Sequence, residues 1–199
     1  MYPVALTGGI GSGKTTVASL FAQRYHIEVI CADQYAKKTI ELPHVIEAIY
    51  QHFGKNVVQN NMKVNRLALR KIISLNAKDR LWLNNLMHPI IRKQIEDALK
   101  LSQSAYTIVD IPLLTQSTLS NYSYLKKVIC VCAPFEIKVQ RIMARDKQTK
   151  KNTILMINSQ ISDDERRKFS DFIIENDHEI SLLLPQIDKI HNSIMVNLN

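Results

Sequence analysis

The stretch Leu6-Thr7-Gly8-Gly9-Ile10-Gly11-Ser12-Gly13-Lys14-Thr15-Thr16 decides the fold of this chain, and it holds four of the five glycines. It matches the pattern G-x-x-x-x-G-K-[ST], in which glycines let backbone N–H groups close around phosphate oxygens. At this spacing, Lys14 would reach the β- and γ-phosphates and the Thr15 hydroxyl would bind Mg²⁺. The stretch therefore predicts a loop that binds a nucleoside triphosphate, with ATP and Mg²⁺ as the expected cofactors.

The segments around this loop alternate between strand-like and helical patterns. A short apolar run from Tyr2 to Leu6 precedes the loop, and a helical pattern from Thr16 to Tyr25 follows it. Four more β-rich runs are found at residues 27–31, 106–111, 128–132 and 172–174. Strands that alternate with helices indicate a parallel sheet covered on both faces. We therefore expect a three-layer α/β/α fold of the P-loop NTPase type with a five-stranded parallel sheet.

The length of 199 residues indicates one domain, residues 1–199, with subsidiary parts. We expect a core at about residues 1–52 and 104–199, a helical insert at about 53–103 and a lid at about 141–168. Within the insert, Pro89 predicts a kink or break near His88. We also expect one helix from Thr153 to about Lys168 and a last helix from His178 to about Met195.

Charge and composition narrow the class of partner. The net charge of +8 suits an anionic partner, which leaves both nucleic acid and a phosphorylated small molecule open. No apolar run approaches the ~18 residues of a membrane span. Three cysteines in or beside apolar runs indicate buried thiols in a reducing compartment. We expect a cytoplasmic monomer that binds neither a membrane nor a nucleic acid.

Missing motifs exclude two large classes of nucleotide-binding protein. Apart from Gly54, no glycine follows the loop, so the D-x-x-G segment of GTPases and the signature segment of ABC-type ATPases are absent. The basic break from Lys147 to Asn152 lies between two arginine-bearing helical segments. In kinases of small molecules, arginines on a mobile lid close over the phosphates and exclude water. A small-molecule kinase is therefore the best interpretation of these features.

Several segments, in order, resemble the dephospho-coenzyme A kinase family over essentially the whole chain. They are Thr7 to Ala18, Ala32-Asp33, Arg66-Leu67-Ala68-Leu69-Arg70, Leu83-Asn84 with His88-Pro89-Ile90-Ile91-Arg92, Pro112-Leu113-Leu114, Gln140-Arg141, Arg145-Asp146, Gln160, and Asp171 to Asn176. The resemblance implies transfer of the ATP γ-phosphoryl group to the ribose 3′-hydroxyl of dephospho-CoA. This reaction, the last step of coenzyme A biosynthesis, gives coenzyme A and ADP.

The resemblance also implies roles for individual residues. The residues with implied catalytic roles are Asp33, which would accept the hydroxyl proton, Lys14 and Arg141. Cofactor binding falls to Gly9, Gly11, Ser12, Gly13, Lys14, Thr15, Thr16 and Arg145, with Thr15 also the metal ligand. Substrate binding falls to Thr7, Asp33, Arg66, Arg70 and His88.

Structural interpretations remain open for most of these side chains. Asp33 follows a predicted strand and is equally suited to be the N-cap of a helix. The two arginines at 141 and 145 share a helix face and could simply be solvated, and Arg66 and Arg70 could be surface charges. His88 could pack against a kink. Local ion pairing with residues 163–165 is the simplest account of Arg166 and Arg167.

The sequence departs from the family pattern at three places, and two other functions compete. Cys31 and Gln116 stand where the family usually has carboxylates, and the lid is rich in lysine. Asp110, at the end of the third strand, is a candidate for an indirect role at Mg²⁺. A nucleoside or nucleotide kinase would share the loop, the lid and the acidic base. A non-catalytic protein that binds nucleic acid would show salt-sensitive binding without phosphoryl transfer.

Overall fold

The computed structural model of the protein describes residues 1–177 and 179–198, and these residues form five strands, ten α-helices and three short 3₁₀ turns. The strands are β1 (Pro3–Gly8), β2 (Glu28–Cys31), β3 (Thr107–Asp110), β4 (Lys127–Cys132) and β5 (Phe172–Glu175). The helices are α1 (Lys14–Tyr25), α2 (Ala32–Thr39), α3 (Pro43–Phe53), α4 (Arg66–Leu75), α5 (Ala77–Leu101), α6 (Gln116–Leu119), α7 (Phe135–Asp146), α8 (Lys150–Asn158), α9 (Asp163–Arg167) and α10 (Leu183–Val196). The 3₁₀ turns are Gly54–Asn56, Ser120–Tyr122 and Ile180–Leu182.

The strands form one sheet in the order β2-β3-β1-β4-β5. β1 lies at its centre and pairs in parallel with β3 and β4, so that Leu6 is opposite Asp110 and Thr7 is opposite Cys130. Because the carboxyl ends of parallel strands lie at one edge, the loop after β1 is placed beside the ends of β3 and β4. The predicted α/β class and five-stranded parallel sheet are confirmed.

The chain divides into two compact units, which are called unit 1 (Met1–Ile30 with Leu99–Asn199) and unit 2 (Cys31–Ala98). The core of unit 1 joins the sheet to helices α1 and α10. Its members are apolar and almost fully buried, and they include Leu6, Phe21, Ile129, Ile174 and Ile187. Near-continuous apolar strands are typical of sheets covered on both faces, and the sequence of β4, Lys-Val-Ile-Cys-Val-Cys, follows that pattern.

Unit 2 consists of helices with amphipathic sequences. Helix α4 begins where the Asn65 side chain accepts a hydrogen bond from the N–H of Ala68, and α5 begins beside the Asn76 side chain, which accepts from Lys78 N. Leu69 of α4 and Ile49 of α3 are buried, and α5 buries Met87, Ile91 and Ile95 at a spacing of four residues. Asparagine caps and an apolar stripe of helical period thus account for these helical segments.

Of the kink or break predicted near His88, the break is wrong, because α5 continues from Ala77 through Pro89 to Leu101; the kink stays a prediction. Proline lacks the N–H that would form one helical hydrogen bond. Met87, Ile91 and Ile95 are buried before and after Pro89, and their packing stabilises the helix on both sides of this position. No helix among the described residues, α5 included, is long and apolar enough to cross a membrane.

The lid segment also differs from its prediction. In place of one helix from Thr153 to Lys168, α8 ends at Asn158 and α9 begins at Asp163. The break arises because the Ser162 side chain accepts from Glu165 N while the Glu165 carboxylate accepts from Ser162 N, which forms a capping box. The last helix begins at Leu183, after a 3₁₀ turn, and its predicted start at His178 lies outside the described residues.

Candidate active site

The loop between β1 and α1 has a backbone that requires glycine. Gly11 has φ 78° and Gly13 has φ 86°, in the left-handed region that other residues rarely adopt. A Cβ atom on Gly13 would also collide with the side-chain amide of Asn176. The loop is therefore closed tightly by backbone conformation and by a neighbour from the end of β5.

The start of α1 leaves polar groups without internal partners. Its N-cap is Gly13, which supplies no side-chain hydrogen bond, and no acidic residue lies in the first turn. The Ser12 hydroxyl is buried and has no hydrogen-bond partner among the described residues. Orphan N–H groups at a helix start and the positive end of its dipole attract anions. The loop therefore fits a phosphate group.

Lys14 is held at the end of a neighbouring strand. Its ammonium group forms an ion pair with the carboxylate of Asp110, the last residue of β3, and both side chains are nearly buried. Since Asp110 lies opposite Leu6 in the sheet, the pairing follows from strand register. This contact keeps the lysine beside the loop, where it could exchange the carboxylate for a phosphate oxygen.

Arg141 contacts the loop directly. Its Nη2 donates to Asn176 Oδ1 at 3.1 Å, and its Nη1 lies 3.5 Å from the carbonyl oxygens of Gly11 and Ser12. Asn176 Nδ2 in turn donates to Ser12 O at 2.7 Å. The arginine and the loop are thus joined through the amide of Asn176, which was not among the predicted site residues although it ends the family-like segment that contains β5.

Arg145, the second predicted arginine of α7, has a different partner. Its guanidinium forms two hydrogen bonds of 2.7 Å with the carboxylate of Asp146, and most of its side chain is exposed. This contact raises the pKa of Arg145 and lowers that of Asp146. The structure therefore brings Arg141, and not Arg145, to the loop.

A second group of charged side chains lies against the first half of the loop. Asp163 Oδ2 accepts from Lys138 Nζ at 2.8 Å, and Asp163 Oδ1 lies 3.4 Å from Arg166 Nη1. Gln160 Oε1 accepts from the N–H of Ile10 at 2.9 Å. Local pairing of Arg166 with Asp163 agrees with the sequence interpretation, but Arg166 is 1% exposed and not a surface residue.

Thr7, Thr15 and Thr16 are the remaining predicted site residues of unit 1. Thr7 is fully buried at the end of β1, and its hydroxyl donates to Pro112 O at 3.4 Å. Thr15 is exposed in the first turn of α1, and Thr16 is half-buried beside it. An exposed hydroxyl at this position is suited to a ligand that approaches from solvent.

The Asp33 carboxylate is exposed in the first turn of α2. The N-cap of this helix is Cys31, so the interpretation of Asp33 as the N-cap is wrong. Among the described residues of unit 2, none forms a hydrogen bond or ion pair with the Asp33 side chain. A carboxylate near a helix start is favoured by the dipole, and this one remains available to accept a proton.

Arg66 and Arg70 lie on the rim of one groove in unit 2. The groove has a volume of about 240 Å³ and an apolar wall that includes Ile40, Leu69 and Met87. Arg66 Nη2 donates to Glu41 Oε1 at 2.6 Å and to Lys37 O at 3.0 Å. Two arginines that line an apolar groove could bind an anionic ligand that also carries an apolar segment.

His88 lies on α5, one residue before Pro89, in a helix that continues through both residues. Partial burial of the ring and the nearby Arg92 guanidinium lower the pKa of His88. Its imidazole is therefore neutral at pH 7, and a neutral imidazole is suited to hydrogen bonding more than to pairing with phosphate.

A glycine loop joins the central strand to the start of a helix, and Lys14 and Arg141 lie at this loop. These features define a nucleoside triphosphate-binding P-loop protein of the kinase type. A sequence model described as dephospho-CoA kinase matches residues 2–181. A dephospho-CoA kinase of Legionella pneumophila is 39% identical over 98% of this chain and 96% of the relative. The chain belongs to the dephospho-CoA kinase family.

Solved structures agree with this assignment. A dephospho-CoA kinase from Campylobacter jejuni superposes with a TM-score of 0.71 at 30% identity, covering 98% of each chain. A shikimate kinase from Acinetobacter baumannii superposes with a TM-score of 0.57 at 17% identity, covering 99% of this chain and 94% of the other. The second match, at low identity, supports the kinase fold alone.

Proposed function

We propose that the protein transfers the γ-phosphoryl group of ATP to the ribose 3′-hydroxyl of dephospho-CoA, which gives coenzyme A and ADP. The observation that carries the proposal is the closed glycine loop with Lys14, in a chain that belongs to the dephospho-CoA kinase family. In this reaction a bond forms between the acceptor oxygen and the γ-phosphorus, and the bond to the β,γ-bridging oxygen breaks. The proton of the hydroxyl goes to a carboxylate base.

The loop side of the reaction is assigned to residues of unit 1. The N–H groups of Gly9, Gly11, Ser12 and Gly13 and the start of α1 would bind the phosphates, with Thr16 beside them. Lys14 would exchange the Asp110 carboxylate for phosphate oxygens, which places positive charge where negative charge develops in the transition state. Arg141 lies at the loop and would act with Lys14, whereas Arg145 would first have to leave Asp146.

The residues at the loop are suited to bind Mg²⁺ together with the phosphates of the nucleotide. The Thr15 hydroxyl is exposed at the loop, and no cluster of three or more His, Cys, Asp or Glu side chains suited to a metal occurs among residues 1–177 and 179–198. Mg²⁺ typically uses few protein ligands together with substrate phosphates. When bound, the ion would neutralise charge on the β- and γ-oxygens.

The acceptor side is assigned to unit 2, together with Thr7. Asp33 would accept the proton of the 3′-hydroxyl and orient that oxygen, a role supported by its exposed carboxylate. Arg66 and Arg70 would pair with the anionic groups of dephospho-CoA above the apolar groove, and His88 would add a neutral hydrogen-bonding group. We further propose that residues 53–103 act as the CoA-binding insert and residues 141–168 as the lid of a cytoplasmic monomer.

The test is the formation of coenzyme A from ATP, Mg²⁺ and dephospho-CoA, measured by mass and by ADP release, for the wild-type protein and for Asp33→Asn. Asp97→Asn is the control, since it changes an exposed carboxylate of α5 that pairs with Lys93. Loss of a general base typically costs about 10²–10⁴-fold, and we expect that loss for Asp33→Asn only.

The outcomes separate the activity from the role of the residue. Equal rates for the wild type and Asp33→Asn would keep the activity and remove the base assignment. No coenzyme A from the wild-type protein, with transfer to a nucleoside monophosphate in its place, would overturn the proposed acceptor.

A further inference from the structure

A buried arginine lies next to the phosphate-binding loop. Arg166, in α9, is 1% exposed, and its Nη1 donates to Ile161 O at 2.5 Å. Its Nε is buried without a hydrogen-bond partner among the described residues. Burying a guanidinium costs several kcal/mol unless good partners compensate, so a position of this kind needs an explanation beyond stability.

The charges around this arginine do not cancel. Arg166 and Lys138 share one carboxylate, that of Asp163, which also accepts from the N–H of Ala133 at 3.3 Å. Lys138 and Asp163 are themselves nearly buried, with side chains 10% and 14% exposed. Among these nearly buried side chains, two cations and one anion leave an excess positive charge, while the Glu165 carboxylate, which also interacts with Arg166, is exposed and accepts from Ser162 N. This excess would favour a nearby polyanion.

The cluster touches the loop at two consecutive peptides. A Cβ atom added to Gly9 would lie 3.3 Å from Arg166 Nη1 and 3.3 Å from Asp163 Oδ1, so these two side chains pack tightly against the Gly9 backbone. At the next residue, the N–H of Ile10 donates to Gln160 Oε1 at 2.9 Å, and that oxygen lies 3.4 Å from Arg166 Nη2. The first half of the loop is thus held by the segment that joins α8 to α9.

We propose that Gln160 is a positioning residue which, supported by Arg166, Asp163 and Lys138, sets the Gly9–Ile10 peptide for phosphoryl transfer. Through this contact the lid segment and the loop would adopt their active arrangement together. The kinetic part of this inference rests on the proposed kinase activity, but the loop contact can be measured without turnover.

The first measurement is amide hydrogen exchange at Ile10 in the nucleotide-free protein. Gln160→Ala removes the acceptor of this N–H and leaves Arg166 its contacts with Asp163 and Ile161. Gln23→Ala is the matched control, because Gln23 is an exposed glutamine in the second half of α1 and lies outside the lid segment. We expect exchange at Ile10 to become at least about tenfold faster in Gln160→Ala and to stay unchanged in the control.

The second measurement separates positioning from folding. For Gln160→Ala we expect kcat to fall about tenfold or more, with the KM for dephospho-CoA within about twofold and an unchanged melting temperature, because small displacements in a reacting geometry are costly. Arg166→Lys, which keeps the charge but loses the fork of donors, should lower kcat in the same direction.

The results that overturn the inference differ from those that overturn the function. Unchanged exchange at Ile10, or faster exchange with unchanged kcat, would show that Gln160 does not position the loop. If the wild-type protein forms no coenzyme A, the proposed function fails, and unchanged exchange at Ile10 would then still refute the contact itself.

Discussion

The phosphate-binding loop and unit 2 differ in how far their polar groups already have protein partners. At the loop, Lys14 pairs with Asp110, Arg141 bonds to Asn176 and the Ile10 N–H bonds to Gln160. Within unit 2, the Asp33 and Arg70 side chains have no hydrogen bond or ion pair to another described residue of that unit.

This difference indicates two ways of binding an anion. Groups held in place lose little conformational freedom when a ligand arrives, and fixed dipoles stabilise charge that develops during a reaction. Free side chains must be ordered by the ligand, which reduces their net contribution to affinity. We therefore expect substitutions at the loop to reduce turnover, and substitutions on the groove of unit 2 to reduce mainly acceptor binding.

The largest effect in this comparison is expected at Lys14. Lys14→Met removes the cation that would contact the phosphates and leaves Asp110 nearly buried without its partner. We expect kcat to fall by about 10²–10³-fold, the cost of losing one positioned group that stabilises transition-state charge. Steady-state kinetics with saturating ATP measure this effect, and Lys189→Met, at an exposed lysine of α10, serves as the control.

A kcat within about twofold of wild type for Lys14→Met would contradict the view that the loop is organised for the transition state. It would also leave the ion pair with Asp110 as a structural contact alone.

A smaller and different effect is expected on the groove. Arg70→Ala should raise the KM for dephospho-CoA about tenfold with little change in kcat, because a hydrogen bond to a charged group is worth about 1.5–3 kcal/mol. Arg66→Ala should act in the same direction, with an added loss of its contact with Glu41. Arg80→Ala, at an exposed arginine of α5, is the control.

If Arg70→Ala lowers kcat and leaves KM unchanged, the contrast between the two regions is wrong. The groove would then contribute to the reacting geometry and not to acceptor binding alone.

The smallest effect concerns a part of unit 1 to which no role in binding or catalysis is assigned. The His191 ring stacks on Tyr25 at a centroid distance of 3.6 Å, and its Nδ1 lies 3.0 Å from the Tyr106 hydroxyl. Burial lowers the pKa of His191, while the nearby Asp188 carboxylate acts in the opposite direction. The folded state therefore binds a proton less readily than the unfolded chain.

The sign of the pH effect follows from this shift. Below the ordinary pKa of about 6.5, the unfolded chain takes up the proton first, so the free energy of unfolding decreases as the pH falls from about 7.5 to about 5.5. We expect a shallower decrease for His191→Gln, measured by thermal unfolding at each pH. The pKa of Asp188 is lowered by Arg24, so its own contribution is lost only below about pH 4. Identical slopes for the two proteins would refute the assignment to His191.

Much of the fold was predictable because strong local signals agree with one another. The apolar run of β4, the caps at Asn65 and Asn76 and the glycine loop each restrict the backbone through sterics or hydrogen bonding within a few residues. Where local signals conflict, prediction failed: Pro89 disfavours a helix that buried side chains on both sides nevertheless maintain.

The candidate site was predictable only in part. The residue types of the loop point directly to phosphate chemistry, because few other sequences allow N–H groups to converge on an anion. The partners Asp110, Asn176 and Gln160 lie 96, 164 and 150 residues from the groups they contact. No local pattern encodes such distances, and the order of the strands together with the packing of the segment between α8 and α9 brings these groups together.

The sequence by itself therefore determined the phosphate-binding loop, the α/β class and the resemblance to a kinase family, since each depends on residue type and short-range spacing. Tertiary structure decided which arginine reaches the loop, why Arg166 is buried and which groups hold Lys14. These outcomes depend on sheet order and side-chain packing, in which the free energy of burying a charge is balanced by partners far away in the chain.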